Sequence, residues 1–363
     1  MIDAITLRLL RLPLKAPYKL AFGPVTQFDS ILAEVHADGN IGYGEATILT
    51  GYTTETVEYS WLGMVETASK LPGISCEAAK VAINGRLSSA PFAATAMTTA
   101  IEMAQKHPAL QIETVAHVPL LAGINETGKD GIADEIEKGI EAGFDTFKIK
   151  VGFDVDSDLE RVRFIQACNV GRAGLRIDAN QGYNRADACY FATRVDPGNI
   201  ELLEQPCHAH DWEALEAVAA VTGVPLMLDE SIYREADIER AARIGASFVK
   251  LKLMKLVSLD RLEQGIVLIR DLGMQPVLGN GVASDLGCWM EACVAARLIR
   301  NAGEMNGFLR QRESLCQPPL EVRGSMLCLS PGVSPNLSEE KLRQVAVATA
   351  RFDKTGKTAG VTI

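Results

Sequence analysis

The sequence predicts a mixed α/β protein: a (β/α)8-type barrel whose last helix is reduced, with an N-terminal α+β capping domain. From about residue 115 onward, short apolar strands alternate with amphipathic helices at a steady spacing, whereas the first 110 residues show strands followed by helices. No GxGxxG motif follows a first strand, which disfavours the competing doubly wound sheet. We therefore expect a capping domain at 1–113, a barrel at 114–317, and a tail at 318–363 that packs back on the capping domain.

The capping domain is predicted from antiparallel strands that precede a group of helices. Alternating residues and turn signals predict strands at Ala4–Leu12, Ser30–Ala37 and Ile41–Ala46. Apolar periodicity predicts helices at Glu55–Lys70, Cys76–Ser88 and Ala93–Lys106. Two loops, Pro17–Gln27 and Thr47–Thr54, are expected to cover a site and to set its specificity.

The barrel is predicted from eight strands and seven clear helices between them. The strands are expected at Val118–Ala122, Thr146–Val151, Leu175–Ala179, Ile200–Glu204, Leu226–Asp229, Phe248–Leu253, Pro276–Leu278 and about Met305–Phe308. The helices are expected near Ile132–Ala142, Ser157–Asn169, Arg185–Val195, Asp211–Val221, Glu235–Ile244, Leu259–Leu272 and Asp285–Arg300.

The second of these strands carries two lysines on one face. In Phe147-Lys148-Ile149-Lys150-Val151, the apolar residues alternate with Lys148 and Lys150, so the apolar face meets the helices and both ammonium groups point into the barrel. Buried lysines require anions, and their mutual proximity lowers the pKa of each towards that of a general base. The alternative is a pair of lysines at a strand end that extend to solvent.

Three acids end the next three strands. Asp178, Glu204 and Asp229 follow one another at intervals of 26 and 25 residues, one βα unit each, which places them side by side at the carboxyl ends of adjacent strands. Converging carboxylates repel one another, and a hard divalent cation such as Mg²⁺ relieves that repulsion. The alternative is that each acid only caps the helix that follows it.

The sixth strand repeats the lysine pattern across the barrel. Lys250 and Lys252 share one face of Phe248–Leu253, opposite the strand of Lys148 and Lys150. Two bases on opposite sides of a metal-bound substrate can remove a proton from one face of a carbon and return it to the other. A pair of structural lysines is the alternative.

These motifs together resemble the enolase superfamily, in particular its muconate-lactonizing-enzyme subgroup, in the mandelate racemase group, which includes dipeptide epimerases and o-succinylbenzoate synthase. The resemblance spans nearly the whole chain, from Gly42-Tyr43-Gly44-Glu45-Ala46 and Gly51-Tyr52-Thr53 to Asp229-Glu230-Ser231 and Lys252-Leu253-Met254-Lys255. It implies that Asp178, Glu204 and Asp229 bind Mg²⁺, for which Mn²⁺ is a possible substitute. It also implies that Lys150 and Lys252 are the acid/base pair, and that Lys148 lowers the pKa of Lys150 and contacts the substrate carboxylate. The common reaction step is removal of a proton alpha to a carboxylate to give an enediolate.

The chain departs from this family at several positions. Leu256-Val257 replaces a usual Gly-Gly, and Lys250 stands where relatives are often neutral, so Lys250 is a second candidate for the base. Ala283 occupies a position that is often acidic. Glu304-Met305-Asn306 corresponds to the Asp-x-Asp with which dipeptide epimerases bind the substrate ammonium. Half of that anionic motif is kept, because Glu304 is acidic and Asn306 is neutral. The expected substrate-binding residues are Tyr52, Asn180, Asn280 and Glu304.

Composition limits the partners. The net charge of −10 disfavours nucleic acid and membranes, and no apolar segment reaches transmembrane length. The eight cysteines show no paired CxxC spacing, which is typical of reduced thiols in a cytoplasmic protein. We expect a homo-oligomer that acts on a small carboxylate.

The expected function is that of a Mg²⁺-dependent racemase or epimerase of an amino-acid derivative, either a dipeptide or an N-acyl amino acid. A cycloisomerase or a syn-eliminating lyase, similar to muconate cycloisomerase or o-succinylbenzoate synthase, would use the same groups. A third possibility is an inactive barrel that only binds metal.

Overall fold

In the described part of the chain, the strands form three sheets. The structure is a computed structural model that describes residues 1–20, 23–49, 53–355 and 359–362. Its strands are β1 (Ile2–Leu20), β2 (Gly23–Ala37), β3 (Asn40–Ile48), β4 (Ala116–Pro119), β5 (Ala122–Ile124), β6 (Thr146–Lys150), β7 (Gly174–Asp178), β8 (Ile200–Glu204), β9 (Leu226–Leu228), β10 (Phe248–Leu251), β11 (Gln275–Leu278), β12 (Glu321–Arg323), β13 (Met326–Leu329), β14 (Ala346–Asp353) and β15 (Ala359–Thr362).

The helices occur in every interval that the sequence assigned to them, with ends that differ by a few residues. They are α1 (Val57–Ala68), α2 (Cys76–Arg86), α3 (Pro91–Ala104), α4 (Lys129–Glu141), α5 (Val155–Asn169), α6 (Arg185–Arg194), α7 (Trp212–Val221), α8 (Glu235–Arg243), α9 (Leu253–Leu256), α10 (Leu259–Asp271), α11 (Asp285–Leu298) and α12 (Glu339–Val345). The short helix α9 and the tail helix α12 lie outside the predicted helices. Short 3₁₀ helices lie at Pro108–Leu110 and Gly307–Arg310.

The capping sheet has the strand order β15-β14-β1-β2-β3, so the last part of the chain adds two strands beside the first. Strand β14 pairs antiparallel with β1, from Ala4 opposite Asp353 to Leu10 opposite Ala346. The other tail strands, β12 and β13, form a separate sheet with β4. The tail therefore contacts both the capping sheet and the start of the barrel.

The expected loop at Pro17–Gln27 is mostly a β-hairpin, so that prediction is wrong for its described residues. Strand β1 continues to Leu20, β2 begins at Gly23, and Tyr18 pairs with Val25. The prolines at 13, 17 and 24 mimic a loop in the sequence, but Pro13 and Pro17 lie at or within a register irregularity of β1 between Pro13 and Tyr18, and Pro24 of β2 pairs with Lys19.

Helix α3 packs directly on β3 because both surfaces are made of small residues. A Cβ atom at Gly44 would lie 2.2 Å from the carbonyl oxygen of Ala96, and one at Gly42 would lie 2.0 Å from that of Ala100. The alanines and threonines of α3 are buried along its whole length. This contact holds the helices of the cap on its sheet, with β3 directed towards the barrel.

The barrel contains seven parallel strands in the order β5-β6-β7-β8-β9-β10-β11, and a short backbone segment at Gly303 completes the ring. The Gly303 amide donates to Pro119 O at 2.9 Å, the Leu121 amide donates to Gly303 O at 3.0 Å, and the Glu304 amide donates to Leu278 O at 3.2 Å. The predicted eighth strand at Met305–Phe308 is wrong, because the chain turns into a 3₁₀ helix at Gly307.

The alternation on β6 is as predicted. Phe147, Ile149 and Val151 are buried in the core between the sheet and its helices. A Cβ atom at Gly139 of α4 would lie 2.4 Å from the Phe147 ring, so this glycine lets the helix approach the strand. The opposite face of β6 therefore carries Lys148 and Lys150 into the barrel.

Polar caps begin most of the barrel helices and so fix the turns after the strands. The side chains of Asp154, Asn184, Asp211, Ser258 and Ser284 each accept a hydrogen bond from a backbone amide in the first turn of the next helix.

Across the residues that the structure describes, no helix combines the length and the apolar character needed to cross a membrane.

Candidate active site

The three predicted acids meet at the carboxyl ends of neighbouring strands. Asp178 ends β7, Glu204 ends β8 directly opposite it in the register, and Asp229 follows β9. Their exposed fractions are 0%, 1% and 1% respectively. Buried carboxylates need cations or donors around them, and in this site the cations are lysines.

Five lysines and five acids form what we call the charge cluster. Its members are Lys148, Lys150, Asp178, Glu204, Asp229, Glu230, Lys250, Lys252, Lys255 and Glu304. Lys148 lies at its centre, with Nζ 2.8 Å from Asp178 Oδ2, 2.8 Å from Glu204 Oε2 and 2.7 Å from Glu304 Oε1.

Lys150 lies at the open side of the cluster. Its side chain is 36% exposed, whereas those of the other four lysines are almost completely buried. Its ammonium donates to Asp178 Oδ2 at 2.5 Å and also to Asn180 Oδ1. Asn180 adopts a left-handed φ of 41°, which asparagine tolerates, and its backbone amide donates to Asp178 Oδ1 at 2.8 Å. The predicted residue Asn180 therefore orients both the lysine and the acid.

The second lysine pair approaches from the opposite side of the barrel. Three strands, β7 to β9, separate β6 from β10 in the sheet. Lys252 Nζ is 2.5 Å from Asp229 Oδ2. Lys250 Nζ is 3.1 Å from Glu204 Oε1 and also donates to Glu304. Lys250 Nζ also lies 3.9 Å from Asp229 Oδ2, so both lysines point into the barrel and share Asp229 as a partner.

Lys255 also contacts Asp229. It lies one helical turn after Lys252, in α9, and donates to the Asp229 backbone carbonyl at 2.6 Å and to Asp229 Oδ1 at 2.9 Å. Its ammonium also lies 5.2 Å from the centre of the Tyr233 ring. Burial lowers the pKa of Lys255, although Asp229 acts in the opposite direction. Lys255 therefore positions Asp229.

The lysines of β6 remain charged in this structure. Burial is the largest single influence on Lys150 and works against its charged form, but Asp178 together with smaller contributions such as that of Glu204 raises the pKa of Lys150. Lys148 acts on Lys150 in the direction that the sequence predicts, since it lowers that pKa, but its effect is smaller than that of Asp178. Burial opposes the charge of Lys148 too, and Asp178 and Glu204 raise its pKa well above the usual value.

The acids of the cluster differ in their charge. Burial alone would raise the pKa of Asp178, but Lys148 and Lys150 lower it to about 2. Burial and the neighbouring Asp178 raise the pKa of Glu204. Burial and Asp229 raise the pKa of Glu230 to about 7. Glu204 and Glu230 are therefore harder to ionise than Asp178.

The donor set fits a hard divalent cation. Asp178, Glu204 and Asp229 offer carboxylate oxygens, the ligands that Mg²⁺ prefers. Beside them, Glu230 Oε2 is buried and lacks a hydrogen-bond partner within the described part of the chain, while Glu230 Oε1 accepts from Asn180 at 3.0 Å. An unpaired oxygen next to two further acids is the environment that additional positive charge would stabilise.

A different group of potential ligands is closer together. In the described ranges, Glu102, His107 and Asp260 are the one set of three whose ligand atoms lie within 4.8 Å of one another. Protein contacts account for this set. The Leu259 amide donates to Glu102, the Ala109 amide donates to His107 Nδ1, and His107 Nε2 lies 2.9 Å from Asp260. With Nδ1 as acceptor, the imidazole carries its proton on Nε2, which then has no lone pair for a metal.

The predicted substrate-binding residues separate into three groups. Asn180 and Glu304 lie in or against the charge cluster. Asn280 is buried, but its contacts are Met254 Sδ at 3.0 Å and the Val282 amide at 3.2 Å, so the structure does not bring it to the cluster. Tyr52 lies outside the described residues.

Sequence reasoning assigned no role to two members of the cluster. Glu230 directly follows Asp229, and Lys255 follows Lys252 by three residues. The three-residue interval between Lys252 and Lys255 brings both lysines to Asp229 only because this segment is helical. The helix concerned, α9, begins directly after β10. Because the strand was predicted to extend to Leu253, the start of this helix was not recognised.

Comparisons with known proteins agree with this architecture. A family model described as enolase C-terminal domain-like matches residues 131–341. The chain is 29% identical over 300 residues to a D-Ala-D/L-Ala epimerase of Cytophaga hutchinsonii, a match that covers 78% of this chain and 80% of that protein. It is 26% identical over 369 residues to an N-succinyl-L-Arg/Lys racemase of Bacillus cereus, covering 95% and 98% respectively.

A solved structure has the same fold. It is a dipeptide epimerase from Cytophaga hutchinsonii complexed with Mg and the dipeptide D-Ala-L-Val, with a TM-score of 0.87 and 22% identity. The match covers 97% of this chain and 100% of that chain. Together with the seven parallel strands and the capping sheet, it confirms the predicted barrel with its N-terminal cap.

Proposed function

Because this chain belongs to the enolase C-terminal domain-like family, in the mandelate racemase and muconate-lactonizing-enzyme subgroup of the enolase superfamily, we propose that it is a racemase or epimerase of an amino-acid derivative. The relatives are named epimerases and racemases, and isomerase is therefore its enzyme class. The proposed substrate is a dipeptide or an N-acyl amino acid with a carboxylate next to the reacting carbon.

One observation carries this proposal: two lysines reach the cluster from opposite strands. Lys150 contacts Asp178 on the β6 side, and Lys252 contacts Asp229 on the β10 side. A substrate held between them presents one face of its alpha carbon to each lysine. Removal of the proton by one lysine and its return by the other inverts that carbon, which is a 1,1-proton transfer.

The other residues hold the substrate and the acids in place. We propose that Lys148, at the centre of the cluster, donates to the substrate carboxylate. Asn180 orients Lys150, and Lys255 orients Asp229. A Mg²⁺ ion held by Asp178, Glu204 and Asp229, or Mn²⁺ in its place, would supply positive charge beside the substrate carboxylate as the proton leaves.

Exchange of the alpha proton in deuterated water tests the proposal. The wild-type protein with Mg²⁺ is incubated with dipeptides and N-acyl amino acids, and deuterium at the alpha carbon is followed by NMR together with optical rotation. A racemase incorporates deuterium and loses optical rotation. A cycloisomerase or a lyase converts its substrate to a product of different structure, and an inactive barrel gives neither exchange nor product. Either of the last two results would reject the racemase proposal.

We also propose a homo-oligomer in the cytoplasm. All eight cysteines are free thiols, as expected for a protein in a reducing compartment. Light scattering of the purified protein would give its mass in solution, and a monomer would contradict the proposed oligomer.

A further inference from the structure

Helix α9 carries two lysines of the charge cluster. Lys252 directly precedes its first residue, and Lys255 lies within it. Both ammonium groups contact Asp229, at 2.5 Å and 2.9 Å respectively. The point that the Lys252 ammonium reaches in the barrel therefore depends on where α9 starts and how it is oriented.

The helix α9 is too short to fix its own position. It has four residues, and a helix of that length has little stability without its surroundings. Lys252 occupies the N-cap position but provides no side-chain cap, because its side chain extends to Asp229. At the other end, Val257 adopts a left-handed φ of 71°, which a β-branched residue rarely does. Contacts from other elements must therefore hold this segment.

Glu291 of α11 supplies the missing cap. Its Oε1 accepts a hydrogen bond from the amide of Leu253, the first residue of α9, at 2.8 Å. Glu291 is 1% exposed, so water does not compete for this amide. From the cap, Thr95 Oγ1 of α3 lies 3.0 Å from Met254 O. The segment after Lys252 is thus held from two sides, and Glu291 holds the residue next to the lysine.

The packing of α11 does not explain why this position is a glutamate. Glu291 Oε2 is buried and has no hydrogen-bond partner among the described residues. A buried oxygen without a partner lowers stability, and an apolar side chain would avoid that loss. The adjacent buried residues Met290, Ala292 and Cys293 are of that kind and belong to the hydrophobic core. The contact with Leu253 is the feature that an apolar residue could not provide.

We propose that Glu291 is a positioning residue for Lys252. By holding the Leu253 amide, it sets the direction in which the Lys252 side chain enters the barrel, and with it the distance from the Lys252 ammonium to the alpha carbon of the substrate. Lys150 enters from β6, which three strands separate from β10, so Glu291 serves one lysine of the pair. This inference rests on the proposed racemase or epimerase function, and it adds a residue that acts through Lys252.

The two lysines provide a selective test of this role. Exchange of the alpha proton in deuterated water is measured separately for the D and L substrates with Mg²⁺, and the enantiomer whose exchange survives in Lys150→Ala is the one that Lys252 serves. Glu291→Met should lower exchange from that enantiomer by about 10–100-fold, because a misplacement of about 1 Å can cost roughly 10²-fold. Exchange from the other enantiomer should change far less. A general loosening of the fold would instead lower both rates.

Two conservative variants refine this test. Glu291→Gln keeps the length of the side chain and an oxygen that can accept from Leu253, so it should retain most of the exchange from both enantiomers. Glu291→Asp is one methylene shorter, which withdraws its carboxyl group from the Leu253 amide. It should show the same one-sided loss to a smaller extent, and it replaces Glu291→Met in the test if that variant does not fold.

Glu102→Met is the matched control. Glu102 is also 1% exposed, it accepts from the Leu259 amide at the start of α10 at 3.0 Å, and its Oε1 is likewise buried without a partner in the described ranges. Helix α10 carries no lysine of the charge cluster. The control should therefore lose stability as Glu291→Met does, but its two exchange rates should keep the wild-type ratio.

The results separate this inference from the proposed function. If the variants of Glu291 lose no exchange, or lose it from both enantiomers alike, or if Glu102→Met shows the same one-sided loss, the role of Glu291 is overturned and the racemase function stands.

If the wild type does not exchange the alpha protons of both enantiomers, the proposed function fails, and labelling of lysines decides on Glu291. The Mg²⁺-loaded proteins are methylated with formaldehyde and cyanoborohydride, and the rate at each lysine is followed by mass spectrometry. Severalfold faster labelling of Lys252 in Glu291→Met than in the wild type and in Glu102→Met, with Lys150 unchanged, would support the positioning role. An unchanged rate at Lys252, or a rise at both lysines, would overturn it.

Discussion

The charge cluster and the interface between cap and barrel both bury carboxyl groups, but they stabilise them with different partners. In the cluster, Asp178, Asp229 and Glu304 contact lysine side chains. At the interface, Glu45 of β3 accepts from the amides of Ser284 and Gly287 at 2.7 and 3.1 Å, which are at the start of α11.

Two more buried acids are held in the same way, one at this interface and one within the barrel. Glu102 of α3 accepts from the Leu259 amide at 3.0 Å, at the start of α10. Glu291 of α11 accepts from the Leu253 amide at 2.8 Å, at the start of α9. These acids use the free amides and the positive end of a helix, and those partners cannot leave without unfolding the helix.

The difference appears in the pKa values. Burial raises the pKa of Glu45 and Glu102 to about 7 and that of Glu291 to about 8. In the cluster, burial acts in the same direction, but Lys148 and Lys150 lower the pKa of Asp178 to about 2, and Lys252 and Lys255 lower that of Asp229. Backbone amides therefore hold a carboxyl group at a fixed place in the fold. Lysines keep a carboxylate charged, and a metal or a substrate can replace them as its partner.

The largest expected effect comes from removing a cluster acid. Glu204→Gln should reduce alpha-proton exchange by more than about 100-fold, because even outer partners of a metal ligand are worth about 10–100-fold. Thermal unfolding should change less than after the loss of a cluster lysine, because glutamine keeps an oxygen that can accept from Lys148 and Lys250 and removes a charge that burial and Asp178 disfavour. Treatment of the wild type with a chelator should also abolish exchange, and Mg²⁺ or Mn²⁺ should restore it.

Full activity of Glu204→Gln, or of a rigorously metal-free wild type, would contradict the metal site. Glu45→Gln is the matched control for this variant, because it makes the same substitution at a buried acid outside the cluster.

The next effect separates the two lysines. Lys150→Ala and Lys252→Ala should each lower racemisation by ~10²–10⁴-fold, the usual contribution of a general acid or base. Each variant should still exchange the alpha proton of one enantiomer, because each lysine reaches one face of the carbon. Exchange measured separately for the D and L substrates checks this. Loss of exchange from both enantiomers in both variants would contradict the division of roles.

Lys250→Met is the control for the second lysine strand. Lys250 contacts Glu204 and Glu304 and is buried, so its loss should lower stability by about 3–5 kcal/mol, as is typical when one partner of a buried ion pair is removed. The Lys250→Met variant should still exchange the alpha proton of both the D and the L substrate. If Lys250→Met stops turnover and Lys252→Ala does not, the base on this strand is Lys250.

Much of the site could be predicted because its signals are local. The alternation of Lys148 and Lys150 with apolar residues, and the steady interval between Asp178, Glu204 and Asp229, each lie within one or two βα units. Period-2 alternation fixes which face a strand residue occupies, and parallel strands bring their carboxyl ends to one edge. The structure accordingly brings all six predicted metal and catalytic residues into one cluster.

The features that sequence reasoning missed depend on distant contacts. Glu45 and Ser284 are 239 residues apart, and neither carries a local signal for the other. The hairpin at Tyr18 exists because β1 and β2 continue to pair past three prolines, and the eighth barrel position is a single bridging segment at Gly303. The contact of Arg310 with Tyr18 needs both of these features, so no pattern in the sequence indicates it.

The smallest expected effect, Glu45→Gln, tests the interface side of the comparison through pH. The pKa of Glu45 is raised from 4.5 to about 7 in the folded protein. The folded state therefore binds its proton more tightly than the unfolded state does, and this contribution to stability is complete below pH 4.5 and is lost as the pH rises through 7. Over that interval the wild type should lose up to about 1.4 kcal/mol per pH unit from this group, and Glu45→Gln should not. Chemical unfolding of both proteins between pH 5 and pH 8 checks this, with the exposed Glu160→Gln as control. The stability of Glu45→Gln relative to the wild type should increase with pH, because glutamine has no charge to bury. Parallel curves for the two proteins would mean that Glu45 stays ionised against the helix α11, and the two regions would then hold their acids in the same charge state.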